Sequence, residues 1–234
     1  MDIRLDDNLV CISALIDNSG SMANLNTTEL AQGLNNMIKE QCESKEVIFY
    51  GASFNDIFKI FADGVNGKEI NITKENINPD GMTALIPSFA RMIKFTGKKL
   101  SEMTDRRPGK VIFILLSDGE QTVEFLRNRI PEDEPYEHSD SKLNLKNLIE
   151  EHTNIWKWDF LYLGTNYDSL QAGAEIGISP KQCINYQYTP KGSQQVMKAC
   201  SAAMTRITTN NFDGFNNIER SQAMNENDNY NLNI

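Results

Sequence analysis

The stretch Leu9-Val10-Cys11-Ile12-Ser13-Ala14-Leu15-Ile16-Asp17-Asn18-Ser19-Gly20-Ser21 decides how this chain is read. Its first eight residues are a near-continuous apolar run of strand length, the pattern of a central parallel strand buried on both faces. The run ends on Asp-x-Ser-x-Ser, just ahead of a helical pattern. A carboxylate and two hydroxyls on alternate residues, on a turn at a strand's C-terminal end, form an oxygen shell suited to a hard divalent cation. Two later stretches supply what that shell lacks: Gly81-Met82-Thr83-Ala84-Leu85 and Leu116-Ser117-Asp118-Gly119.

The rest of the chain alternates strand and helix signals around these three pieces. Leu30, Leu34, Met37, Ile38 and Gln41 recur at helical spacing, with Thr27 or Thr28 expected as the N-cap. Val47 to Phe54 and Ile57 to Ala62 read as two strands joined at Asn55-Asp56, a hairpin that places one antiparallel strand at the sheet edge. After the Pro79-Asp80-Gly81 turn, Leu85, Ile86, Phe89, Met92, Ile93 and Leu100 mark one face of a long helix, with Pro87 tolerated in its first turn. Val111 to Leu116 is a second all-apolar strand, running straight into Ser117-Asp118-Gly119. Residues 127–140 read as an acidic, proline-containing loop, followed by an amphipathic helix from Ser141 to Glu151. Phe160 to Leu163 is a third core strand, Leu170 to Ile176 a helix and Ile184 to Tyr188 an edge strand. Val196, Cys200, Met204 and Ile207 define a last helix.

This alternation predicts an α/β fold: a doubly wound, mostly parallel six-stranded sheet with one antiparallel edge strand and helices on both faces. Residues 1–208 form the domain. Residues 209–234, which hold nine asparagines from Asn210 on, read as a tail in which Phe212, Phe215 and Ile218 could dock locally.

Composition narrows the function classes. The chain has 234 residues, 40% hydrophobic and 24% charged, enough for one sizeable core. Its formal net charge of −9 repels phosphate backbones, so no nucleic-acid partner is expected. Lys98-Lys99 with Arg106-Arg107 reads as the solvated end of a helix plus its loop. No apolar stretch approaches the roughly 20 residues of a membrane span, and the polar residues from Asp2 to Asp7 are unlike a signal peptide. Cys11, Cys42, Cys183 and Cys200 lack metal or redox spacing and read as reduced thiols. The expectation is an intracellular, cytoplasmic protein. Asparagine richness is compatible with an AT-rich bacterial or bacteriophage genome.

In a doubly wound sheet, ligands bind beyond the carboxyl ends of strands where the winding reverses. Asp17 and Asp118 each follow a long apolar strand, so they can share one cation. Ser19, Ser21 and Thr83 would add hydroxyl ligands, with water completing a near-octahedral shell for Mg2+ or Mn2+, Ca2+ being a further possibility. Two carboxylates cancel a divalent charge only formally and the hydroxyls add none; if the carboxylates act through water, the ion stays electrophilic and can accept an outside carboxylate. The competing reading is that Ser19 and Ser21 merely cap the next helix and that Asp118-Gly119 is only a turn.

The ordered set Asp17, Ser19, Ser21, then Thr83, then Asp118 resembles the metal-ion-dependent adhesion site of von Willebrand factor type A domains, over roughly residues 8 to 208. Met82 departs from the pattern, since a second glycine often stands there. The resemblance implies a non-enzymatic, metal-dependent module whose ion binds a Glu or Asp side chain of a partner protein. In size and lack of secretion features the chain resembles stand-alone intracellular members of microbes and their viruses. An alternative within the same resemblance is a regulatory subunit of a larger complex, such as an ATPase-linked metal-insertion or stress-response machine.

Other chemistries find less support. An EF-hand would need a glutamate where Thr28 stands, and there is no Gly-x-Ser-x-Gly elbow or phosphate-binding glycine loop. His138 and His152 read as surface residues, and Trp156 and Trp158 as packing residues. Glu132, Asp133, Glu134 and Glu137 read first as a solvated, mobile loop; the sharper alternative is an acidic rim beside the metal face that repels weakly matched acidic ligands or recruits a basic flank on the partner. Asp17→Ala is expected to remove metal binding and leave the fold intact, on the view that the site lies on the sheet's surface rim.

Overall fold

A computed structural model describes residues 4–118, 121–165 and 169–225. The strands are β1 (Arg4–Asp17), β2 (Glu46–Phe54), β3 (Phe58–Asn66), β4 (Arg106–Ser117), β5 (Asp159–Gly164) and β6 (Cys183–Asn185). The helices are α1 (Thr27–Gln41), α2 (Leu85–Ser101), α3 (Ser141–Asn154), α4 (Ser169–Glu175), α5 (Pro190–Thr208) and α6 (Asn217–Ala223). One six-stranded sheet runs in the order β3-β2-β1-β4-β5-β6, parallel throughout except for the β2–β3 hairpin. The predicted α/β architecture holds.

Strand periodicity sorts the core into two layers. From β1, Val10, Ile12, Ala14 and Ile16 pack with Leu30, Leu34, Met37 and Ile38 of α1 and with Val196, Cys200 and Met204 of α5. The alternate residues Cys11 and Leu15 pack with Phe89, Met92 and Ile93 of α2 and Leu145 and Ile149 of α3. Both faces of the central strands are therefore dry, which is why those strands read as unbroken apolar runs. Ser13, the one polar residue of the run, satisfies its hydroxyl on Thr96 Oγ1 of α2 at 2.8 Å. Phe89, Phe113 and Phe160 form an aromatic cluster between sheet and helix, with ring centroids 4.9 to 6.1 Å apart.

Several local expectations are corrected by tertiary packing. The N-cap of α1 is Asn26, whose side chain accepts from Glu29 N, and not Thr27 or Thr28. Arg106 and Arg107 open β4, because β1 and β4 continue as a paired ribbon beyond their other neighbours. His152 is half-buried, its ring edge-on to Trp158 at 4.6 Å, and burial lowers its pKa. Trp158 packs as expected, whereas Trp156 is 59% exposed. Within residues 209–234, α6 carries an Asn216–Glu219 capping box, and Arg206 of α5 holds Glu219 with both guanidinium nitrogens. Phe215 is buried, Phe212 packs beside it, and Ile218 is exposed.

The acidic stretch is the largest correction. Pro131–Tyr136 is a 3-10 turn, not an irregular loop, and Asp133 on it is buried in an ion pair with Arg91 of α2. The Glu137 carboxylate is also buried, accepting from Leu126 N and facing Arg129. Only Glu132 and Glu134 remain exposed. A buried carboxylate left without its cation loses its compensation. Arg91→Met is therefore expected to lower stability by about 3 kcal/mol or more, read from the urea midpoint, while Lys142→Met, which breaks an exposed pair with Glu175, should shift it by less than about 1 kcal/mol.

Candidate functional site

The winding reverses between β1 and β4: the chain passes from β1 to β2 on one side and from β4 to β5 and β6 on the other. Parallel register sets Phe54, Asp17, Ser117, Gly164 and Asn185 in one row along the C-terminal edge. Asp17 and Asp118 thus emerge from adjacent central strands at the crevice where ligands collect in such sheets.

Three segments meet there, and each pair is directly bonded. The first, residues 17–21, joins the second, residues 80–84, through Gly20 N to Gly81 O at 3.1 Å and Asp80 N to Asn18 O at 2.8 Å. Gly81 has φ +74°, a conformation that favours glycine. The first joins β4 through the Ser117 hydroxyl, which donates to Asp17 Oδ2 at 2.6 Å. The second joins the loop after β4 because Thr83 N donates to Thr122 Oγ1 and Thr83 O accepts from Thr122 N and Val123 N. Gln121 Oε1 accepts from Ile86 N, serving the first turn of α2, whose own N-cap residue Ala84 makes no side-chain cap.

The five predicted residues converge on this junction in a graded burial. Asp17 is fully buried, Ser19, Thr83 and Asp118 are nearly so, and Ser21 is exposed at the mouth. The expectation that Asp17 sits on a surface rim is therefore corrected. Its Oδ1 accepts from Ser19 N at 2.9 Å while Oδ2 takes the Ser117 hydroxyl, so both oxygens are fixed. Ser19 Oγ and Ser21 Oγ lie 3.0 Å apart. Neither caps α1, whose cap is Asn26, and Ser19 makes no side-chain cap to the 3-10 turn Gly20–Asn24 that follows it. The helix-cap reading of the two serines fails on that geometry. Gly119 lies outside the described residues.

Burial pushes the Asp17 pKa up to about 6, against the Ser117 and Ser19 hydrogen bonds that lower it, and the Asp118 charge adds to the rise. Nearby, Asn18 Oδ1 and the fully buried Tyr186 hydroxyl have no hydrogen-bond partner among the described residues. Burial raises the Tyr186 pKa most, and the charges of Tyr188, Asp17 and Asp118 raise it further. Among the described residues no cluster of three or more His, Cys, Asp or Glu side chains is placed to hold a metal. The donors gathered here are two carboxylates with hydroxyls, the oxygen-only chemistry of hard cations. Among the described residues, a buried carboxylate of raised pKa beside a second carboxylate and hydroxyls is a donor set that a divalent cation fits.

Ser117 and Asn18 stand inside the sequence motifs without a role there, and Gln121, Thr122 and Tyr186 have none either. For Ser117 the signal existed: it directly precedes Asp118 at the end of an apolar strand. Gln121 and Thr122 act across 35 and 39 residues, on Ile86 and Thr83, and have no local pattern.

The Asp17 shift has a stability consequence with a defined sign. Its pKa in the folded, metal-free protein lies above the ordinary value of 3.8. The folded state therefore binds the proton more tightly, and the resulting stability is complete below about pH 4 and lost as pH rises through about 6. Asp17→Asn keeps the shape and removes the charge. It is expected to stabilise the metal-free protein at pH 7 by on the order of 2 kcal/mol and to flatten the pH 4–6 dependence, measured by denaturant unfolding in chelator.

Neither protein-family models nor curated protein sequences match the chain; solved structures do. A von Willebrand factor type A protein from Catenulispora acidiphila superposes with a TM-score of 0.53 at 15% identity, over 84% of this chain and 42% of that one. The pilus adhesin SpaC from Lactobacillus rhamnosus GG gives 0.59 at 12% identity, over 90% and 31%. The conserved hypothetical protein BatB from Bacteroides thetaiotaomicron gives 0.52 at 13% identity, over 86% and 99%. The chain thus spans less than half the length of the first two. At such identities the likeness speaks to architecture, and the architecture is that of a von Willebrand factor type A-like fold.

Proposed function

We propose that this chain is a protein-binding module that holds a magnesium-type ion through Asp17, Ser19, Ser21, Thr83 and Asp118 and uses it to grip an acidic side chain of a partner. The observation that carries the reading is the convergence of two carboxylates and unassigned hydroxyls at the reversal of the sheet, with Asp17 buried and its pKa raised. The fold supports it, since such sheets bind ligands at that crevice.

The residues divide the work. Ser117 and Ser19 N orient the Asp17 carboxylate and occupy one lone pair on each oxygen, which favours a charge that neutralises the ion without smothering it. Ser19, Ser21 and Thr83 are neutral donors. The ion, when bound, supplies an electrophilic position that an external carboxylate can fill. The exposure of Ser21 marks the open side from which that carboxylate would arrive. With both carboxylates and the three hydroxyls taken as ligands of the ion, no further nucleophile or general base is assigned among the described residues, and the reading is recognition and not catalysis. Among the described residues no helix is long and apolar enough to cross a membrane.

Calorimetric titration with Mn2+ tests the metal half of the proposal. The wild-type chain should bind one ion, and Asp17→Asn should weaken binding at least about 100-fold (about 2.7 kcal/mol) with the circular dichroism spectrum unchanged. Binding by Asp17→Asn at wild-type affinity would contradict it. For the partner half, capture from the native source should succeed in Mg2+, fail in chelator and fail with Asp118→Ala. A partner retained equally in all three would refute carboxylate gripping.

A further inference from the structure

We infer that Tyr188 is a positioning residue for the turn that presents Ser21, fastening it to the segment between β6 and α5. The inference rests on the metal-binding reading for its functional meaning, and on the geometry alone for the contact itself.

The turn needs an external anchor. Ser21 lies in the 3-10 turn Gly20–Asn24, whose internal bonds are short-range: Met22 N to Ser19 O and Leu25 N to Met22 O. A turn of this kind has poor hydrogen-bond geometry and little stability of its own. Met22 anchors it into the core, but Ser21 itself is exposed. The Tyr188 hydroxyl donates to Ser21 O at 3.0 Å, joining residues 167 apart in sequence. Burial raises the Tyr188 pKa, and the backbone N–H groups of Leu25 and Asn24, which face the oxygen, pull the other way. The phenol therefore reaches the start of the turn through the bond it donates to Ser21 O.

The anchor is itself held. Tyr186 N bonds Gly164 O at the end of β5, and Gln187 N bonds Ala223 O at the end of α6. Thr189 caps α5 by accepting from Gly192 N. Gly192 fits only as glycine, since a Cβ there would stand 2.1 Å from Gln187 O. Segment 186–189 is thus tied to β5, α5 and α6. A half-buried phenol on a rigid segment, aimed at the backbone of the most exposed proposed ligand, sets where the Ser21 hydroxyl stands relative to Ser19.

The test uses the full chain, Mn2+ as the probe, and the variants Tyr188→Phe, Ser21→Ala and the double variant. Loss of one ordinary hydrogen bond shifts an equilibrium about fivefold, so Tyr188→Phe should weaken Mn2+ binding by about that factor. In the Ser21→Ala background the substitution should have no further effect, because Tyr188 acts through Ser21. Effects that simply multiply, or a Tyr188→Phe affinity within about twofold of wild type, would overturn the inference. Amide exchange in chelator supplies a metal-independent arm: Tyr188→Phe should speed exchange at Met22 and Leu25 and leave α1 unchanged. If the wild type took up no Mn2+, the metal reading would fall by itself. The exchange arm would still decide the anchor, and unchanged exchange would overturn it.

Discussion

The structure turns on one buried carboxylate. Asp17 ends the central strand at the point where the sheet's winding reverses, and it is fully shielded from water. Two hydrogen bonds, from Ser117 Oγ and Ser19 N, hold its oxygens but do not neutralise its charge, and burial outweighs them in raising its pKa. A charge in that position is tolerated only if something answers it. Among the described residues the surroundings fit an answer from outside the chain: a second carboxylate beside the first, hydroxyls, and an Asn18 oxygen with no hydrogen-bond partner.

That constraint explains why three loops distant in sequence are bonded into one junction. An ion site needs donors fixed to a fraction of an ångström, and loops alone do not supply that rigidity. Here the backbone of residues 80–84 is stitched both to the Asp-x-Ser-x-Ser turn and to the segment after β4. The strands below supply the fixed frame, their dry faces clamped between α1 and α5 on one side and α2 and α3 on the other. Burial in two layers thus carries through to the placement of a few oxygen atoms.

Much of this was legible in the sequence, for identifiable reasons. The runs 9–16 and 111–116 announced central strands because burial on both faces removes polar residues from them. Asp17, Ser19, Ser21, Thr83 and Asp118 stood out because each follows directly on such an element or on a glycine turn. What escaped was long-range or decided by competition between neighbours. Asn26 outdid Thr27 and Thr28 as cap of α1. Asp133 and Glu137 looked solvated until Arg91, Leu126 and Arg129 closed over them, which removes half of the expected acidic rim. Tyr186 and Tyr188 lie in a strand-like stretch whose pattern gives no hint that one hydroxyl is orphaned and the other reaches Ser21.

The most direct measurement of the central claim is anomalous diffraction from crystals grown or soaked with Mn2+. One strong manganese peak is expected within coordination distance of oxygens from Ser19, Ser21 and the Asp17–Asp118 pair, with Thr83 completing the protein ligands directly or through water. Crystals with manganese elsewhere and only solvent among these five residues would contradict it.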